Sequence, residues 1–135
     1  MSNLNALNAN IMGVAGWDMS AALSTLTDDL VTKEVALRWV PRFDIKVSAI
    51  YLDCGTSPTG SSIIVDVKVN GTSMLTTLPE IADGGSDSVN GTPALINSTY
   101  EVIHAGDVVT FAITQIGSTA AGKNLNVTML GNRIS

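Results

Sequence analysis

From residue 33 onward, apolar and polar residues alternate with a period of two in short runs separated by turn formers, a pattern that predicts β-strands. The clearest run lies within residues 55–75, GTSPTGSSIIVDVKVNGTSML. Ile63, Val65, Val67 and Val69 fall on one face, and Ser62, Ile64, Asp66 and Lys68 fall on the other. A Ser-Pro-Thr-Gly turn precedes the run and Asn70-Gly71 ends it. Asn and Gly tolerate the positive φ angles of a type I′ turn, so a hairpin is expected here. The first face is suited to a core. The second mixes Ile64 with charges and is a candidate contact surface through Ile64, Asp66 and Lys68.

Other runs follow the same rule. Residues 34–43 set Val35, Leu37 and Trp39 against Glu34, Ala36 and Arg38 until Pro41 interrupts pairing. Residues 46–52 oppose Val47, Ala49 and Tyr51 to Ser48, Ile50 and Leu52, so both faces are partly apolar, as in a central strand. Further strands are expected over 73–77, 94–96, 100–103, 108–116 and 124–130. Segments 83–93 and 117–122 are rich in Gly, Ser, Asp and Thr and read as exposed loops. About eight short strands at this spacing predict an all-β fold, an antiparallel β-sandwich or jelly roll over residues 34–135.

Residues 1–33 read differently, as an irregular, partly helical N-terminal arm. Leu4, Leu7 and Ile11 are spaced for one side of a short helix, and residues 20–30 are compatible with a further turn or two. Trp17 lies in this arm with no local core to cover it. Large aromatic side chains dominate interface energies, so Trp17 with Leu4, Leu7 and Ile11 is expected to anchor the arm on a neighbouring subunit.

Composition narrows the functional classes. The 135 residues fit one domain able to bury a core. Charged residues are 14% of the chain against 45% hydrophobic, which is charge-poor for a protein facing only water and implies protein contacts. A net charge of −5 argues against nucleic acid as a partner, because phosphate binding needs a basic stripe. Lys33, Arg38, Arg42 and Lys46 do cluster, but Glu34 and Asp44 interleave them. With no apolar run of 18 residues and no basic, apolar leader, neither a membrane span nor secretion is expected. The four Asn-x-Ser/Thr matches at Asn70, Asn90, Asn97 and Asn126 are accordingly turn and strand chemistry rather than glycan acceptors.

Candidate chemistry is sparse. His104 is the one histidine, and although Asp107 follows it, no Gly-x-Ser-x-Gly elbow supplies a nucleophile. Cys54, the one cysteine, reads as a small hydrophobe at a strand end. Asp83 and Asp87 flank glycines, yet their spacing departs from a calcium-binding loop. The expectation is a protein that is not an enzyme and uses no cofactor or metal.

Residues 55–60, the run Ile-Val-Asp-Val-x-x-Asn-Gly-Thr-Ser at 64–73, Ala-Gly-Asp at 105–107, Val-Thr-Phe at 109–111 and Gln-Ile-Gly-Ser at 115–118 together carry a resemblance. Over residues 35–131 the chain resembles a small β-sandwich module of tailed-bacteriophage virion proteins, found in capsid decoration (cement) proteins and in tail-fibre or tailspike segments. The acidic, Gly-rich stretch 83–91 departs from that pattern, which has a short turn-and-strand segment there. The resemblance implies a virion protein assembled in the host cytoplasm, with the major capsid protein and further copies of itself for partners; a homotrimer is expected, because a sandwich this apolar can bury one face around a threefold axis. A tail-fibre or receptor-binding protein that contacts a host glycan is the alternative it allows, although loops 83–93 and 117–123 carry no aromatic platform.

Overall fold

The structure is a computed structural model in which residues 15–134 are described. None of these residues is helical. The described strands are β1 (Ala15–Ala22), β2 (Lys33–Trp39), β3 (Ile45–Thr56), β4 (Ile63–Val69), β5 (Thr72–Ser73), β6 (Leu75–Thr77), β7 (Glu80–Ile81), β8 (Leu95–Ile96), β9 (Val102–Ile103), β10 (Val109–Gln115) and β11 (Lys123–Arg133). All pairings between them are antiparallel. One sheet runs β1-β11-β3-β9 and a second runs β2-β10-β4-β5, with β7 beside β4; β6 and β8 form a small third sheet.

A single hydrophobic cluster joins the two main sheets. The first contributes Ile45, Val47, Ile50, Leu52, Leu125, Val127 and Met129, the second Ile63, Val65, Val67, Val109, Phe111 and Ile113. The period-2 rule accounts for β4, where Ile63, Val65 and Val67 are fully buried and Ile64, Asp66 and Lys68 point the other way. Asn70 and Gly71 close the hairpin with φ of 51° and 87°, the pair of positive angles that a type I′ turn needs. Val69 then pairs Thr72, and Lys68 pairs Ser73.

Two strands depart from simple alternation, and each does so at a bulge. In β3 the inward positions are Ile45 and Val47, then Ile50, Leu52 and Cys54. The register slips there: Leu130 faces Ala49 while the next residue, Gly131, faces Val47, leaving Ser48 over. β3 is a central strand as expected, between β11 and β9, and the mixed faces in 46–52 reflect its change of phase at the bulge. In β2, Phe111 faces Leu37 and Ile113 faces Lys33, so three residues of β2 stand where β10 has one. Val35, expected inward, is consequently 54% exposed, while Leu37 and Trp39 pack on the core.

The expected arm is also corrected. Ala15–Ala22 is a strand paired in full register with β11, from Ala15 opposite Arg133 to Ala22 opposite Asn126. Trp17, Met19 and Ala21 pack against the core. Residues 23–32 continue as bends without helix, pinned where the Leu23 and Leu30 amides donate to the carbonyls of Leu125 and Gly122. The helix proposed around Leu4, Leu7 and Ile11 lies outside the described residues.

The stretch 83–93 is, as expected, a loop of turns and bends with Asp83, Gly84, Ser86, Val89, Asn90 and Pro93 exposed, but it is pinned at its middle. Ser88 is fully buried; its amide donates to the Leu52 carbonyl at 3.0 Å, and its Oγ accepts from the Leu52 amide at 2.9 Å. The Cys54 amide donates to Ser86, and Thr92 and Glu80 exchange two backbone bonds. Residues 86–88 therefore extend the first sheet beyond the short β9.

Candidate functional site

Among the described residues, the chemistry available lies on surfaces. Neither sheet is covered by a helix, so each presents an outer face, and the turns crowd at the two ends.

The outer face of the first sheet follows from its register. Gly16, Asp18, Ser20 and Ala22 of β1 alternate with the inward residues and stand in rows with Asn132, Leu130, Thr128 and Asn126 of β11. β3 continues those rows with Lys46, Ala49, Tyr51 and Asp53. Nine of these twelve positions are uncharged, and Asp18, Lys46 and Asp53 lie towards the margins. At the centre the Ser20 and Thr128 hydroxyls hydrogen-bond at 3.0 Å beside the exposed Tyr51 ring. The face is small-featured and poor in charge. Its rim is β1, which pairs β11 on one side and no strand among the described residues on the other.

Trp17, for which the sequence offered no local core, packs within its own chain and is half-buried. Its ring stacks on Trp39 of β2 with centroids 5.4 Å apart and planes 15° from parallel. The pair joins an edge strand of one sheet to an edge strand of the other. Leu4, Leu7 and Ile11 are outside the described residues.

Ile64, Asp66 and Lys68 do share the outer face of the second sheet, where Ala112 lies opposite Asp66 and Thr110 stands between Lys68 and Arg38. Asp66 accepts a 2.6 Å bond from the Ser73 hydroxyl. Sequence reasoning missed the β2 bulge, which sets Lys33 opposite the buried Ile113. No pattern in residues 32–36 signals a bulge.

At the turn end, three loops lock together. Asp107 Oδ2 accepts from the His104 backbone amide at 2.8 Å, and its Oδ1 accepts from Asn70 Nδ2 at 3.0 Å. The His104 ring instead faces Asp44, Nδ1 to Oδ2 at 3.3 Å, while Asp44 Oδ1 accepts from the Ala105 amide. Asp107 thus shapes a turn and does not orient the imidazole, so the geometry is not that of a catalytic pair. Beside these turns, Asn70, Thr72, Thr99, Tyr100 and His104 border an open groove of about 310 Å³.

Cys54 is buried, and burial first, then the charges of Asp53 and Asp87, push its thiol upward. It is therefore a protonated packing group near neutral pH and a poor nucleophile. Among the described residues no three His, Cys, Asp or Glu side chains gather as a metal site, and no helix is long and apolar enough to cross a membrane. No known family model matches the chain, and neither a curated protein nor a solved structure matches it.

Proposed function

We propose that the chain is a structural protein of a tailed-phage virion: a capsid decoration protein of jelly-roll sandwich type, which oligomerises and bridges neighbouring subunits of the head shell. The edge of β1, which pairs no strand on its outer side among the described residues, set against the charge-poor outer face of its sheet, supports this reading. An unpaired strand offers a row of backbone donors and acceptors to a partner strand, and natural edges that must stay single are blunted by Lys, Pro or a bulge. β1 reads AGWDMSAA, with no Lys, no Pro and no slip of register. The adjoining face of Ser20, Thr128, Ala49 and Tyr51, small-featured and uncharged, suits close contact with another protein surface.

Mechanically, such a protein works by added buried area. Each copy spreads contacts over several shell subunits, so that outward pressure must break more interface. A homotrimer places three such edges around a local threefold axis of a shell, and its self-contacts are of the closed, cyclic kind.

Co-sedimentation of the purified protein with empty, expanded capsids tests the reading. Saturable binding near one copy, or one trimer, per local threefold site is expected. Binding to host cells without binding to capsids would transfer the chain to the tail and to glycan recognition, for which the Tyr100 groove is the place to look.

A further inference from the structure

The tetrapeptide Val-Asn-Gly-Thr occurs twice, at residues 69–72 and 89–92, and the fold treats its two copies differently. Asn followed by Gly is chemically labile, because Gly leaves its own backbone nitrogen unshielded by a side chain. That nitrogen attacks the Asn Cγ; a C–N bond forms, the Cγ–Nδ2 bond breaks, and ammonia leaves with the displaced amide proton. Water then opens the cyclic imide at either carbonyl, giving Asp or, with the backbone rerouted through the side chain, isoaspartate. One water is consumed, one ammonia is released, and nothing is oxidised or reduced. With the local sequence shared, the rate at each copy is set by how freely the carboxamide can swing onto the next nitrogen.

The first copy is the turn between β4 and β5. Asn70 Nδ2 donates to Asp107 Oδ1 at 3.0 Å, and Asn70 Oδ1 accepts from the Val108 amide at 2.9 Å, so both polar atoms of the carboxamide are tied to another segment. The Asn70 amide donates to the Val108 carbonyl, its φ is 51°, and the pairs of Val69 with Thr72 and Lys68 with Ser73 fix the backbone on either side. A swing towards Gly71 must break both side-chain bonds. The second copy lies in an exposed run of bends over residues 88–91. The Asn90 carboxamide bonds through Nδ2 alone, to the two carboxylate oxygens of Asp87 at 3.1 and 3.2 Å, a partner in the same short loop. Its Oδ1 makes no hydrogen bond among the described residues.

We propose that Asn90-Gly91 is a self-modification site that converts to Asp and isoaspartate in the folded protein, while the clasp of Asp107 and Val108 protects the identical sequence at Asn70-Gly71. A carboxylate at position 90 faces that of Asp87 where a hydrogen bond stood, and it adds a negative charge to a chain of net charge −5. Isoaspartate also lengthens the backbone just before Gly91, where even a Cβ on the glycine would collide with the Glu80 carbonyl oxygen. The next residue, Thr92, exchanges two backbone bonds with Glu80. Conversion therefore loosens the loop at its Thr92 anchor.

The test is peptide mapping by mass spectrometry, with isoaspartate identified, of the full chain held at about pH 8 and 37 °C. Conversion at Asn90 is expected about tenfold faster than at Asn70, the factor that two additional exposed hydrogen bonds supply. In concentrated urea the two rates should converge, since the tetrapeptides are the same. Asp107→Ala should speed conversion at Asn70 severalfold and leave Asn90 as it was; if that variant folds poorly, the urea comparison still decides. Aged protein should show faster amide exchange at Thr92. The proposal is overturned by folded-state conversion as fast at Asn70 as at Asn90, by a difference that persists in urea, by an Asn70 rate indifferent to a folded Asp107→Ala, or by unchanged exchange at Thr92 after conversion.

Discussion

Ser88 shows how one polar side chain fixes a long loop. Among the described residues it is the buried polar side chain of the core region, and it exchanges amide and hydroxyl bonds with the two polar backbone groups of Leu52. Truncating it leaves the buried Leu52 amide without an acceptor, which costs about 1–3 kcal/mol. Ser88→Ala is therefore expected to lower stability in urea by that amount and to release residues 83–91, seen as faster amide exchange at Ser86 and Ser88. Nearby Cys54 supplies a pH prediction. Its thiol is raised in the folded state by burial and by Asp53 and Asp87, so the folded protein holds the proton more tightly than the unfolded chain. That contribution is complete below the unfolded thiol value of about 8.5 and is lost as pH climbs through the higher folded value. The stability of wild type should thus fall more steeply above about pH 8.5 than that of Cys54→Ala, and thiol labelling at pH 7.5 should be slow until denaturant is added. Cys54 as a packing group was legible from its strand-end position. The burial of Ser88 was not, because its partner lies 36 residues away in the chain.

At the level of elements, β4 and its hairpin were legible because alternation, β-branched residues and Asn-Gly all agree locally. β1 was missed. Its inward Trp17, Met19 and Ala21 do alternate, but Ala, Gly and Asp disfavour strands, and only pairing with all of β11 overrides that preference. The phases of β2 and β3 were misjudged for a different reason: a bulge adds residues to one strand of a pair, a relation that the single strand cannot show. The Trp17–Trp39 stack tests the new placement of β1. In a double-mutant cycle to Ala, each single change should destabilise the folded chain, and the coupling should be about 0.5–1.5 kcal/mol. A Trp17→Ala protein that melts as wild type does but assembles less would restore the intersubunit role.

Across the whole molecule, charge is unevenly placed. The end holding the turns after β1, β3 and β10 carries Asp28, Asp29, Glu34, Asp53, Glu80, Asp83 and Asp87 against Lys33 and Lys123. The remaining acids and bases balance, so the net charge of −5 resides at that end. A partner with an acidic surface should meet the other end or a sheet face. The first sheet's outer face is the larger candidate, and Ser20→Glu with Tyr51→Lys, both at exposed positions, should abolish capsid co-sedimentation while leaving the melting temperature within a few degrees of wild type, since exposed substitutions rarely cost more than about 0.5 kcal/mol. Retained binding in that variant would move the contact off this face. By itself, the sequence determined the all-β class, the core face of β4 and the Asn70-Gly71 turn, because those follow from residue period and local backbone preference. Tertiary structure decided the rest: the capture of β1 by β11, the docking of residues 86–88 on β3, the bulges of β2 and β3, and the Trp pair. Each depends on which strands lie side by side and in what register, and that is settled by long-range pairing over a shared core.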